Sequence, residues 1–157
     1  MLISKTGISL KERRIIENIL DTNVDLYGDY YITRSNIRIY LRDNPDILFD
    51  CLNKSDEMVY DEQNENGMAF ISGWSDKSPR KYVKILTKDE KLASSFLKII
   101  SWNARIDLYA KLKKNNPLIK VFQKSGYIFL GDRGSEILLC RKYIPRPERI
   151  QYKKEED

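Results

Sequence analysis

From residue 57 onward the apolar residues abandon the helix period and fall into short stretches separated by tight turns. That change of period constrains the fold more than any other feature of the chain. Residues 57–62, 68–74 and 82–86 read as three strands, divided by the turn chemistry of Asn64-Glu65-Asn66-Gly67 and by the polar stretch 75–80. Three consecutive strands on tight loops predict an antiparallel meander. The helix period then returns over 88–103, where Leu92, Phe96, Ile99 and Ile100 share one face and Asp89 and Glu90 stand in the first turn. A strand at 106–112 follows. Next come a helix from about Pro117 to Lys124, ended by Gly126, and a hairpin of 127–130 with 136–141 about residues 131–134. Trp74 and Trp102 both lie in apolar periodic segments and are expected to pack inside.

The first 55 residues read as helix-rich. Ser9 and Glu12 form a capping box before Ile15, Ile16, Ile19 and Leu20, which predicts an amphipathic helix over 10–22. Ile37, Ile39 and Leu41 alternate with polar residues as in a half-buried strand, and Asn44 with Pro45 opens a short helix carrying Ile47, Leu48, Cys51 and Leu52. The first eight residues carry no signal of an element. At 157 residues the chain suits one core. The expected architecture is α/β (α+β layers) in a single domain over 1–144, followed by a charged tail at 145–157 with two prolines and eight charges. Such a tail is a segment that a protein partner could order.

Histidine is absent, which removes Ser-His-Asp and Cys-His catalysis and every histidine metal site. Cys51 and Cys140 are too few for a thiolate zinc site, so no metal is expected, and both sit among apolar residues as reduced, buried thiols do. The N-terminus lacks the apolar core of a signal peptide. No run approaches the ~20 apolar residues of a membrane span, so a cytoplasmic protein without a membrane partner is expected. The charge is divided: residues 1–80 hold 10 Lys+Arg against 14 Asp+Glu, whereas 81–157 hold 18 against 9. A basic half attracts phosphates. Its densest cluster is Lys111, Lys113, Lys114, Lys120 and Lys124 with Arg105. No RNP, KH, zinc-finger or helix-turn-helix signature accompanies it, so nucleic acid is not the favoured partner.

The order of elements over 57–142, together with KNNPLIKVFQKSGYIFLGDRGSEILLCRK, resembles the GCN5-related N-acetyltransferase (GNAT) superfamily. Asn115, Phe122, Gln123, Lys124, Gly126, Tyr127, Gly131, Leu138, Leu139 and Lys142 stand where that family's late helix and hairpin carry their characteristic residues. The resemblance implies a twisted mixed sheet, mostly antiparallel, with one splayed parallel pair formed by the strands at 82–86 and 107–112. It implies acetyl-CoA as cofactor and an amine as acceptor, whose identity the sequence does not specify. The cofactor's arm would lie along Ile85 and Leu86. Its phosphates would meet the helix start at Lys88, Lys91, Ala93 and Ser94, and Asn115 and Phe122 would contribute from the later segment.

The chain departs from the family pattern at two places. Lys91 stands where the phosphate loop has glycine, and Phe122 where the late helix carries the tyrosine that protonates the leaving thiolate. Tyr60, Tyr82, Tyr109 and Tyr127 are phenols that could replace that tyrosine, and Asp61 or Glu62 would serve as general base. The alternative is a module that keeps the fold without catalysis and binds a protein partner or nucleic acid.

Overall fold

The computed structural model describes residues 2–5, 9–23, 30–32, 38–40, 46, 57–72 and 79–145. Helix α1 (Leu10–Asn23) begins where the capping box predicts: the Ser9 N–H donates to Glu12 Oε1 at 3.0 Å and the Glu12 N–H to Ser9 Oγ at 3.3 Å. Ile16 and Ile19, three residues apart on one face, are fully buried.

Seven strands form the main sheet. They are β1 (Leu2–Lys5), β4 (Glu57–Asp61), β5 (Gly67–Ser72), β6 (Lys81–Thr87), β7 (Leu108–Lys113), β8 (Ile128–Arg133) and β9 (Glu136–Arg141). Their spatial order is β1-β4-β5-β6-β7-β9-β8, and every neighbouring pair is antiparallel except β6 with β7. A separate hairpin pairs β2 (Tyr30–Ile32) with β3 (Arg38–Tyr40). Helices α2 (Glu90–Asn103) and α3 (Ile119–Lys124) complete the described elements. This is the expected α/β architecture with one parallel pair.

Because side chains alternate along a strand, the sheet carries two apolar faces. Val59, Ala69, Val83, Ile85, Ala110 and Leu139 join Phe96, Leu97 and Ile100 of α2 and Phe122 of α3 in one core. Tyr60 points to the opposite face, where it meets Glu12 of α1. The meander is drawn tight at Gly67: a methyl there would lie 2.5 Å from Thr87 Cβ and 2.9 Å from the Leu86 carbonyl oxygen. Only glycine lets β5 approach β6 so closely at this point.

Four expectations change. Residues 2–5 are a strand, not an unstructured start, and pair with β4 from Leu2↔Asp61 to Lys5↔Met58. The late hairpin turns at Gly134 and Ser135, because β8 runs on to Arg133, which pairs with Glu136; Gly134 has φ +80. Helix α3 starts at Ile119 rather than Pro117, since Asn116 Oδ1 takes the Leu118 N–H at 2.8 Å and holds the intervening residues as a turn. Trp102, expected inside, is 62% exposed. Cys140 is buried as a free thiol. The short helix expected after Asn44 (but for Asp46), Cys51, Trp74 and the tail from Arg146 onward lie outside the described residues. Among the described residues no helix is long and apolar enough to cross a membrane.

Candidate functional site

Strands β6 and β7 are in register only at Lys81↔Leu108 and Tyr82↔Tyr109. Beyond that point β6 follows β5 to Thr87, and β7 follows β9 to Lys113. The parallel pair therefore splays, leaving residues 83–87 with no strand partner on the side facing β7. Stacking secures the closed end of this wedge: the Tyr82 and Tyr109 rings lie 5.8 Å apart, and Arg80 Cζ sits 4.6 Å above the Tyr109 ring. Backbone N–H and C=O groups that leave a ladder need other partners. An extended ligand carrying amides would supply them.

The open end of the wedge meets the start of α2. Thr87, fully buried, donates its hydroxyl to the Asn66 carbonyl at 3.0 Å and accepts the Asp89 N–H at 3.1 Å. It thereby ties the β4–β5 turn to the loop before α2. Asp89 is the N-cap, and its Oδ1 accepts the N–H groups of Lys91 at 2.9 Å and Leu92 at 3.2 Å. The Ala93 N–H bonds the Asp89 carbonyl at 3.0 Å. The N–H donors that would greet a pyrophosphate at residues 91–93 are thus engaged within the chain. Lys88 and Lys91 are exposed beside them, while Ala93 is fully buried and Ser94 half-buried. The turn and loop joined through Thr87 also carry Asp61, Glu62, Glu65 and Glu90, so carboxylates outnumber the two lysines at this end.

The proposed catalytic residues do not share one place. Tyr60 is 3% exposed, and its hydroxyl donates to Glu12 Oε2 at 2.6 Å. Burial first, then the bond and charge of Glu12, push this hydroxyl well above the ordinary value of 10.0. Tyr60 is therefore a neutral donor whose proton is already committed to Glu12. Asp61 lies on the other face of the sheet, buried, with Oδ1 accepting the Asn64 N–H at 3.3 Å; its carboxylate shapes its own turn. Glu62 is exposed just beyond β4.

Of the remaining candidates, Ile85 and Leu86 are buried on β6 at the wedge. Asn115 is exposed in the turn before α3, where its neighbour Asn116 accepts the Leu118 N–H. Phe122 is fully buried and meets Tyr127 edge-on, with ring centroids 5.0 Å apart. It belongs to the core and presents no exposed atom to a ligand. Of the basic cluster, Lys113 ends β7, Lys114 just beyond it pairs with Asp132 at 2.8 Å, and Lys124 ends α3.

Sequence reasoning found neither the bond between Glu12 and Tyr60 nor the two capping bonds of Asp89. Starting α2 at Lys88 placed Asp89 within the first turn, although an Asp ahead of Glu-Lys-Leu is an N-cap signal. Glu12 showed its capping role but gave no sign of its long-range partner Tyr60.

With this geometry in place, the fold has clear counterparts. An N-acetyltransferase from Staphylococcus aureus Mu50 superposes with a TM-score of 0.59 at 17% identity, covering 90% of this chain and 97% of that one. A putative acetyltransferase from Salmonella typhimurium, solved with acetyl-CoA, gives a TM-score of 0.61 at 10% identity over 92% and 95% of the two chains. An N-acetyltransferase from Thermoplasma acidophilum in complex with coenzyme A gives 0.58 at 12% identity over 91% and 99%. No protein-family model matches the sequence, and no curated protein matches it. The chain has the GNAT fold.

Proposed function

We propose that this protein is an acyl-CoA-dependent N-acyltransferase that transfers an acetyl group to an amine. The splay of β6 from β7 carries the reading, because it leaves an unpaired strand edge at 83–87 beside the start of a helix. Structural neighbours with acetyl-CoA or coenzyme A bound support it. Acyl-CoA would supply a thioester carbonyl open to attack by an amine, with a thiolate as leaving group. The backbone of 83–87 would hold the pantetheine arm, and Lys88 and Lys91 would meet the phosphates. Glu62, exposed just beyond β4, would take the proton the amine gives up.

A second reading has its own observation. Asp89 caps the helix start where an anion would bind, and Phe122 buries the position from which a phenol would act. Both favour a fold retained for binding without catalysis. Calorimetric titration with acetyl-CoA separates the two. The acyltransferase should bind in the micromolar range, a free energy of about −8 kcal/mol. Silence up to ~1 mM would leave the non-catalytic module as the better account.

A further inference from the structure

At the end of the molecule away from the wedge mouth, the C-terminal half of α2, the end of α3 and the end of β9 enclose a groove of about 430 Å³. We infer that this groove binds a small organic anion with an apolar body, a carboxylate or phosphate monoester on an alkyl or aryl chain. Three cations line it, Lys98, Lys124 and Arg141, with no acidic side chain among the described lining residues.

None of these cations forms an ion pair or hydrogen bond with a described residue. Among the described residues, Asp107 beside this segment is engaged elsewhere: it accepts the Tyr143 N–H at 2.8 Å and a bond from Lys142 Nζ at 3.2 Å, and these two contacts hold it below the usual carboxylate range. Arg141 is half-buried, its side chain laid against Gly126, where a Cβ would sit 3.6 Å from its Nε. That packing holds the guanidinium in place before any ligand arrives.

Ser101, a residue of the groove wall, and Tyr127, buried behind that wall at 2% exposure, are neighbours whose hydroxyls make no hydrogen bond of good geometry. Buried hydroxyls are rarely left so without a reason. An anion seated against Arg141 would give the Ser101 hydroxyl an acceptor once its side chain turned toward the groove.

The apolar part of the ligand has its own surface. Trp102 and Ile144 stand 62% and 52% exposed on the rim, and a chain or ring laid across them would remove that area from water. Volume, unpaired cations and an exposed indole together match a compact amphiphilic anion. The groove shares Ser94 with the residues that the acyl-CoA reading uses, but its three cations and its apolar rim lie toward the other ends of the helices.

Nuclear magnetic resonance titration of the full chain with decanoate and with decyl phosphate tests it, with decanol as the uncharged control. At least one anion should produce saturable shifts at the Trp102 indole N–H and the Ser101 and Ser125 amides. Decanol should bind at least fivefold more weakly. Arg141→Gln and Lys124→Gln should each weaken the anion at least fivefold, whereas Lys113→Gln, at the far end of β7, should not. Should Arg141→Gln fail to fold, Lys98→Gln, an exposed position, takes its place. The acetyl-CoA titration of these variants is expected to match the parent, which keeps the two readings separable. The inference is overturned by the absence of saturable shifts up to about 5 mM, by decanol binding as well as the anions, or by charge variants that bind like the parent.

Discussion

Replacing Asp89 with alanine should tighten acetyl-CoA at least tenfold, although it removes a helix cap. In the free protein the Asp89 carboxylate accepts two N–H groups at the start of α2, the donors a pyrophosphate would otherwise use. A bound phosphate must displace that carboxylate and also tolerate its charge. Hydrogen bonds to a charged group are worth about 1.5–3 kcal/mol, so freeing the donors exceeds the 1.4 kcal/mol of a tenfold change. The free protein should at the same time lose about 0.5–2 kcal/mol of stability, the usual cost of a lost N-cap. Tighter binding with a less stable free chain is the expected pair of results, read by calorimetry and by urea unfolding. Unchanged or weaker affinity would mean that no phosphate competes with Asp89.

Glu12→Ala should cost about 2–4 kcal/mol, combining a lost buried bond to a charged acceptor with a lost capping partner. The carboxylate, in a residue only 8% exposed, takes the Ser9 N–H on one oxygen and the Tyr60 hydroxyl on the other. Its removal strands the Tyr60 hydroxyl at 3% exposure. Against a domain stability of about 5–15 kcal/mol the loss is large. Urea unfolding of Glu12→Ala, Tyr60→Phe and the double variant should give a clear coupling between the two sites. A loss under about 1 kcal/mol would show that the bond does little. The pH sign follows from the raised Tyr60 hydroxyl: its stabilisation is complete below the ordinary value of 10.0 and declines as the solution becomes more alkaline than that.

The fold was legible in the sequence wherever period alone decides it. The capping box located α1 to within a residue at its far end, and the short apolar stretches between turns in 57–86 gave the meander. The wedge was expected from the family resemblance, which implied a splayed parallel pair of β6 and β7; the helix between them is consistent with a parallel crossover. What escaped depends on contacts between distant residues. Strand β1 is four residues long and is fixed only by β4, its partner more than fifty positions away. Trp102 was misjudged for a different reason. At about 100° per residue it stands on the side of α2 opposite Ala93, Phe96, Leu97 and Ile100, so the spacing itself contained the answer.

The candidate site was less legible than the fold. Residues on the wedge, Ile85 and Leu86, could be placed because strand order positions them. Asp61 and Tyr60 could not, because adjacent positions on a strand face opposite ways and each had a partner that sequence proximity does not reveal. Phe122 and its missing hydroxyl were visible, yet its burial against Tyr127 was not.

The central claim is that the wedge between β6 and β7 receives the arm of an acyl-CoA. Its most direct test is a residue-resolved magnetic resonance titration of the full chain with acetyl-CoA, following every backbone amide. The account predicts saturable shifts at residues 83–87 and 91–93, with Ser101, Trp102 and Ser125 unmoved. Saturable binding that leaves 83–87 silent, or no saturable shift anywhere, would contradict it.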